Sequence, residues 1–462
     1  MARYGPEMVS VIPWNRPSSK QVPVIATKRV VRNWARNEAC VPSGFARPRT
    51  TVEVVALVAA AHRAGERIKV IGAGHSFTPT AMTNGTMLSL DAMNAVQHVD
   101  TATGRVTVQA GIRLRDLSEQ LAAKGLALPN LGDINVQSLA GAISTATHGT
   151  GIGLGNLATC VVAMEMVSGT GEVVRCSETE RPDLLQVARV GLGALGVVTS
   201  VTLQCVPRFN LHAVETIEVL EEVLENFEDF VGSAEHAELY WMPGSRRCQV
   251  KRNHHTDLPA APQPRWEYVK DKWVGENLAF GLVCRAGRRF PSIAPKVAKL
   301  LTGSAAERNL VDRSDRIFSS PRHVRFVEME YGLPIAALPE AVRRVRDLTR
   351  ELAFPPLFPI EVRVSAADDI ALSTGHGRTN GWIAVHQYRG APYEAYFHGV
   401  ESIMNDYEGR PHWGKLHYQT AASLRPRYQQ WDEFAACRAE LDPGGTFRNQ
   451  YLDRVLGPVG DS

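Results

Sequence analysis

The chain has 462 residues, a formal net charge of +3, 44% hydrophobic residues and 21% charged ones. That length implies two or three domains with a sizeable core, and so small a charge, with no long basic block, argues against nucleic acid as a partner. Seven widely spaced cysteines without a C-x-x-C pair argue against a zinc site or a disulfide framework and fit a reducing, cytoplasmic setting.

The N-terminus lacks the apolar core of a signal peptide, and no apolar run is long enough to span a bilayer. Residues 1–30 are Pro-rich and read as a partly ordered arm, after which Asn33-Trp34-Ala35 opens the first domain. Pro48 to Gly65 has a helical pattern, with Thr50 or Thr51 as cap and Val54, Leu57, Val58 and Ala61 on one face. A strand ending at Ile71, strands at Met87–Leu90 and Val106–Ala110, and a helix from Leu114 to Lys124 ended by Gly125 follow. Val161–Val167 and Glu172–Arg175 read as a hairpin around Gly169-Thr170-Gly171, then a short helix Leu184–Val190 and a strand Val197–Val206.

The middle of the chain differs. Ile217–Val231 reads as one acidic amphipathic helix, Leu239–Met242 and Cys248–Arg252 as strands, and His254–Ala306 as Pro-rich, basic and of uncertain order. Val324–Tyr331 alternates, with charges at Arg325, Glu328 and Glu330. Leu338–Leu352 is a helix, Glu361–Val364 and Trp382–Tyr388 are strands, and Tyr428–Leu441 is a further helix. This mixture of strands and helices predicts an α+β sheet domain with one sheet face serving as a wall.

Two stretches carry chemistry. Lys69-Val70-Ile71-Gly72-Ala73-Gly74-His75-Ser76 is a strand running into a glycine turn that presents a histidine. It imitates a dinucleotide fingerprint, but Phe77 replaces the third glycine and no helical period follows, so the Rossmann reading fails. The alternative is an ordinary turn with a solvated histidine. The second stretch, Gly132-Asp133 and Ser138 to Gly151, is nearly free of charge and bulk. Its backbone N–H groups and hydroxyls suit a large phosphate-bearing ligand; the alternative is a small-residue helix packed in a core.

Together the stretches resemble the FAD domain of the vanillyl-alcohol-oxidase superfamily, and more closely the sugar-1,4-lactone oxidases. The likeness rests on Gly74-His75-Ser76, Val106 to Gly111, Gly125 to Gly132, Thr147-His148-Gly149-Thr150-Gly151 and Gly193 to Thr199, and returns at Phe358–Arg363 and Pro411–Lys415. It implies a two-subdomain FAD-binding domain at 31–208, a substrate (cap) domain with an antiparallel sheet at 209–410, and a C-terminal segment, 411–462, that returns to the flavin. The implied FAD-binding residues are Ile71, Gly72, Ala73, Gly74, His75, Ser76, Gly132, Asp133, Gln137, Ser138, Gly141, Ala142, Ser144, Thr145, His148, Gly149, Val197, Val198 and Lys415. His75 is implied as the point of covalent attachment, and His148 as a structural holder of the cofactor loop.

Glu361 and Arg363 alternate on one strand and so share a face. Alone they read equally as an exposed surface pair; the resemblance makes them substrate residues, Arg363 on the sugar oxygens and Glu361 orienting it or a hydroxyl. Lys415 is implied as a cation at the flavin N1–C2=O edge. His386 matches a sugar-contacting histidine of alditol oxidases and is a candidate base, with a structural role as the alternative.

The implied function is oxidation of a sugar-1,4-lactone, with hydride passing from a C–OH carbon to flavin N5 and reoxidation by dioxygen giving hydrogen peroxide. Gly132, where dehydrogenase relatives carry alanine, leaves oxygen a path. The alternatives are oxidation of an alditol or a specialised-metabolite alcohol, to which Asp133 points because polyol oxidases have a serine there, or an electron-relay flavoprotein. No metal is implied.

Overall fold

Three sheets place the two chemistry-bearing stretches, and they are seen in a computed structural model that describes residues 24–264, 266, 278–291 and 307–459. In the first sheet, β1 (Ile25–Ala26), β2 (Gly44–Ala46), β3 (Ile68–Ile71) and β4 (Thr86–Ser89) lie in the order β1-β2-β4-β3. Helix α1, Thr51–Ala64, connects β2 to β3. The Thr50 hydroxyl accepts the Glu53 N–H at its start, and Gly65 ends it with a left-handed φ of +66°. Val54, Val58 and Ala61 pack with Ile68 and Leu88 in one core cluster. After β3 there is only a 3-10 turn, Pro79–Ala81, so no helix N-terminus opens on His75.

The second sheet holds β5 (Val96–Asp100), β6 (Arg105–Gln109), β7 (Val161–Val167), β8 (Val173–Ser177) and β9 (Val197–Gln204), in the order β8-β7-β9-β6-β5. Its neighbours are antiparallel, and β7 and β8 form the expected hairpin. Helices α2 (Leu114–Ala122), α3 (Leu139–Ser144) and α4 (Pro182–Ala188) belong to this part. The small-residue stretch is thus a short helix, with Ser138 accepting the Gly141 N–H as its cap, followed by an irregular loop.

The third sheet has eight strands: β10 (Asn210–Val219), β11 (His236–Trp241), β12 (Arg247–Thr256), β13 (Arg308–Arg313), β14 (Phe326–Pro334), β15 (Ile360–Ser365), β16 (Asn380–Tyr388) and β17 (Arg410–Pro411). Their order is β13-β10-β12-β11-β15-β16-β14-β17. Leu338, Val342 and Val345 of one helix (Leu338–Glu351) and Phe397 and Val400 of another (Glu394–Asn405) pack with Val362, Val364, Ile383 and Val385 of the strands. The alternate residues of the central strands therefore turn their polar side chains to the opposite face.

Two expectations need correction. Ile217–Val231 is not one helix. Ile217 to Val219 complete β10, which pairs with β12 along its length, and the rest forms two short helices, Leu220–Glu225 and Phe227–Gly232, split where Asn226 leaves helical geometry at φ −107° and ψ 41°. The ladder outcompeted the helical period, although Leu220, Val223, Leu224, Phe227 and Phe230 are buried as that period required. The Tyr428 helix begins at Trp431. Within His254–Ala306, His254 to Thr256 finish β12 and Phe280–Arg289 is a helix; residues 265, 267–277 and 292–306, like most of the N-terminal arm, lie outside the described residues.

The C-terminal segment packs on the first sheet. The Ile68 N–H donates to Thr446 O at 2.8 Å and the Phe77 N–H to Gly414 O at 2.7 Å. The Asn449 amide donates to the carbonyls of Pro79, Thr80 and Met82.

The packing of helix Leu338–Glu351 on β16 is testable at Gly381. A Cβ there would lie 2.4 Å from Leu338 Cδ2 and 2.8 Å from Leu338 Cβ. Gly381→Ala is expected to lower unfolding free energy by about 1–3 kcal/mol, read as a shift of the chemical-denaturation midpoint. An unshifted midpoint would show that this contact is loose.

Candidate active site

Two cavities meet at His75, Ser76, Gln137 and Thr145, which line both. The first, about 1030 Å³, runs from the β3 turn past Ser138, Gly141 and Ser144 to Leu192, Gly193, Gly196 and Val198. It is a cradle of small residues. A Cβ on Gly72 would lie 2.2 Å from Ser138 Oγ and displace that hydroxyl, and Gly74 has a φ of +69°, which favours glycine. Gln137 Oε1 is buried without a partner, and an orphaned acceptor in a ligand-sized cavity calls for a donor from a ligand. The chain therefore fits FAD here.

His75 stands at the junction. Trp34 stacks on its ring at 5.3 Å, and the Trp34 N–H donates to Gly74 O at 2.7 Å. Burial, with Arg113 adding to it, lowers the His75 pKa to about 4. The imidazole is therefore neutral near pH 7 and keeps a nucleophilic lone pair.

The second cavity, about 1200 Å³, is closed on one side by Trp34, Phe77, Phe280, Phe326 and Phe358. On the other side the third sheet delivers charge. Arg363 Nε donates to Glu238 Oε2 at 2.8 Å, and Arg363 Nη2 pairs with Glu361 Oε1. The Tyr240 hydroxyl donates to Glu361 Oε1 at 3.0 Å, and Lys251 pairs with Glu238 at 3.2 Å. The two carboxyls on Arg363 differ. Burial works against ionised Glu238, but Lys251 and Arg363 outweigh it and hold its pKa at about 2. Burial raises that of Glu361, with Glu238 and Asp133 adding to the rise and Arg363 opposing it. The pair thus combines a firm anion with a weaker acid.

Lys415 bridges two further carboxylates: it pairs with Glu328 and, at 2.7 Å, with Glu330. Burial disfavours its ammonium, but the two glutamates overcome this and raise its pKa. Glu328 in turn faces His386 Nε2 at 3.2 Å, and Glu330 faces His148 Nε2 at 3.2 Å. His412 is neutral, its pKa lowered to about 3 by burial and by Lys415.

Most sequence-derived site residues come together. Ile71, Gly72, Ala73, Gly74, Ser138, Gly141, Ser144 and Val198 line the first cavity, and Gly132, Asp133, His148, Glu361, Arg363, His386 and Lys415 line the second. Ala142, Gly149 and Val197 line neither; Ala142 and Val197 are core residues. Glu361 and Arg363 are buried, so the exposed-pair alternative falls. Asp133 is held by Arg322 through a 2.6 Å ion pair. Sequence reasoning missed Glu238, Tyr240, Lys251 and Arg322. It noted Glu328 and Glu330 only as charges on an alternating strand; their shared face was the available signal.

A glycine-built cradle that fits FAD and opens onto buried charged side chains points to a class that the matches below establish: a FAD-dependent oxidoreductase. Residues 42–177 match the family model for an FAD binding domain, and residues 201–455 match that for D-arabinono-1,4-lactone oxidase. The chain belongs to the D-arabinono-1,4-lactone oxidase family. It is 46% identical to an L-gulono-1,4-lactone dehydrogenase of Mycobacterium tuberculosis, over 92% of this chain and 99% of the relative. It is 35% identical to an L-gulonolactone oxidase of Bos taurus, over 92% and 98%. In fold it is similar to a cholesterol oxidase from B. sterolicum, with a TM-score of 0.78 over 97% of this chain and 100% of that one, at 19% identity.

Arg363 is shared by two buried carboxylates, so its fork geometry matters as well as its charge. Arg363→Lys is expected to lower kcat/KM by about 100-fold, roughly 3 kcal/mol, with FAD content unchanged. Arg363→Ala leaves the buried Glu361 without its cation and Glu238 with Lys251 alone, and is expected to cost about 3–5 kcal/mol of stability as well. Steady-state kinetics and denaturant titration check both; an unchanged kcat/KM in Arg363→Lys removes Arg363 from the site.

Proposed function

We propose that the chain oxidises a secondary alcohol of a sugar-1,4-lactone of the L-gulono or D-arabinono type, with dioxygen as acceptor and hydrogen peroxide as second product. The observation that carries this reading is the gathering of Glu361, Arg363, His386 and Lys415 around one cavity that adjoins the FAD cradle at His75. The division into FAD-binding (31–208), substrate (209–410) and C-terminal (411–462) parts belongs to the same reading. So does a cytoplasmic setting, supported by seven free cysteines.

When bound, FAD supplies the hydride acceptor and passes the electrons on to oxygen. The chain does the rest. Arg363, with two N–H groups engaged by carboxylates, holds the sugar oxygens and steadies negative charge developing on the reacting oxygen. Glu361, the weaker acid of its pair, accepts from a substrate hydroxyl. His386 receives the alcohol proton. The Asp133–Arg322 pair forms part of the wall and discriminates among polyhydroxy substrates by the hydrogen bonds it offers.

The neutral, stacked imidazole of His75 supports covalent attachment of FAD through a ring nitrogen. Acid precipitation is expected to leave the yellow colour in the pellet, and His75→Ala to release it. Because the ring stays neutral down to about pH 4, attachment to the apoprotein should keep its rate as pH falls and slow only near that value. Colour in the supernatant of the unmutated protein would sink the linkage.

Oxygen as acceptor rests on Gly132. A Cβ there would lie 3.2 Å from His148 O and 3.3 Å from Thr147 Cγ2, so a methyl would crowd this wall of the cavity. The 46% identical relative named a dehydrogenase makes a separate electron acceptor the second reading. Stopped-flow mixing of reduced enzyme with air-saturated buffer decides: reoxidation should keep pace with turnover, and Gly132→Ala should slow that step while sparing reduction by lactone. Reoxidation far slower than turnover with an artificial acceptor establishes the second reading.

A further inference from the structure

Ile68 and Val70 of β3 pack in one hydrophobic cluster, so Lys69 between them turns to the other face of the strand. It is buried and lines the first cavity. Its side chain reaches two carbonyls from distant parts of the chain. Nζ donates to Gly193 O at 3.1 Å and to Phe447 O at 3.2 Å. Gly193 belongs to a turn in which Leu192 and Gly193 both hold left-handed φ angles, +54° and +61°, and both line the same cavity. One side chain thus ties a turn of the cofactor cradle to the C-terminal segment.

The charge on this side chain has no counter-ion in the protein. Among the described residues no carboxylate forms an ion pair with Lys69. The two acids whose charge it feels are engaged elsewhere. Asp442 accepts the N–H groups of Thr446 and Phe447 at 2.7 and 2.9 Å, and Asp453 pairs with Arg448 at 2.9 Å. Arg438, on the helix Trp431–Leu441, opposes the ammonium. Burial and Arg438 outweigh the two acids and lower the Lys69 pKa to about 7. The hydrogen bonds agree. A neutral amine has two N–H groups, and the two carbonyls accept both. An ammonium has a third, for which no described residue supplies an acceptor. The other ionisable groups on the cavity do not supply one: Asp91 is taken by Arg113, and His75 is neutral near pH 7. Lys69 is the one cation among the described lining residues, and a buried ammonium without a counter-ion is costly.

We propose that Lys69 is the counter-charge for the diphosphate of FAD and takes up one proton as the cofactor binds, so that cofactor loading depends on pH through a single side chain. This role belongs to the FAD cradle and does not depend on which alcohol is oxidised. The amine lone pair gains a proton from solvent, and the third N–H so formed is donated to a phosphate oxygen. No bond within the cofactor changes. The two bonds to carbonyls persist in both states, so the Gly193 turn and Phe447 stay in place. The sign follows from linkage. FAD favours the protonated form, so affinity is full below about pH 6 and falls as pH rises past the free value of about 7.

The test uses the full-length His75→Ala protein, stripped of FAD, with riboflavin as a probe that lacks the diphosphate. FAD is titrated calorimetrically at about pH 6 and about pH 8, in two buffers of different ionisation enthalpy. At the higher pH the difference in heat between buffers should correspond to uptake of close to one proton, and at the lower pH to about a tenth of one. The FAD dissociation constant should rise about tenfold between the two. Riboflavin should bind without dependence on buffer or pH. Lys69→Met should abolish the proton uptake and weaken FAD about 100-fold at the lower pH, while sparing riboflavin. Lys69→Arg, whose guanidinium keeps its charge at both pH values, should bind FAD without proton uptake. Equal heats in the two buffers at the higher pH overturn the proposal, as does uptake that persists in Lys69→Met. Riboflavin weakened as much as FAD overturns it too, and leaves Lys69 a prop for the Gly193 turn. If Lys69→Met does not fold, the buffer comparison on the parent protein decides by itself. Loss of the covalent reading leaves the test intact, since the unmutated protein then serves as parent.

Discussion

Burying charge at the cavity floor is the constraint on which the rest of the structure depends. Glu238, Glu328, Glu330 and Glu361 are all removed from water, and so are Arg363 and most of Lys415 and Lys251. Each ion left without a partner there would cost several kcal/mol. The eight-stranded sheet prevents this by register. β11, β12, β14 and β15 each contribute one or two charged side chains to the same face, and cross-strand spacing brings opposite signs within ion-pair distance. The pairings leave each carboxylate with a different environment, and those differences separate anion from weak acid.

The C-terminal segment completes the floor. Lys415 comes from a loop outside the first two sheets, and the same segment hydrogen-bonds β3 at Ile68 and the turn after it at Phe77. One piece of chain therefore ties the His75 turn to the charged face of the third sheet. The cradle and the acid–base residues are held at a fixed separation by backbone hydrogen bonds, and positioning of this kind does not depend on flexible side chains.

The cradle itself is made by absence of side chain. Gly72 meets Ser138 and Gly74 adopts a left-handed φ; both line the first cavity with backbone rather than side chain. Hydroxyls of Ser138, Ser144 and Thr145 line the same space. The aromatic wall of Trp34, Phe77 and Phe326, in mutual contact within 6.3 Å, supplies the apolar side that a planar ring system requires.

The amino-acid order alone determined the local pieces. The Thr50 cap and Gly65 stop bounded α1, the Gly-x-Gly-His turn presented His75, the missing helix after Phe77 excluded a Rossmann pyrophosphate site, and alternation set Glu361 and Arg363 on one face. These follow from φ/ψ preference and period, which act within a few residues. Tertiary structure alone decided that Ile217 to Val219 extend a strand, because their partners in β12 lie some thirty residues away. It alone decided that Glu238 and Tyr240 reach Arg363, and that Lys415 is shared between Glu328 and Glu330. An isolated strand with alternating charges reads equally as a solvated edge or a buried wall. Only the packing of the Leu338–Glu351 and Glu394–Asn405 helices on the opposite face turned those charges inward, where a carboxylate must find a cation or give up its charge.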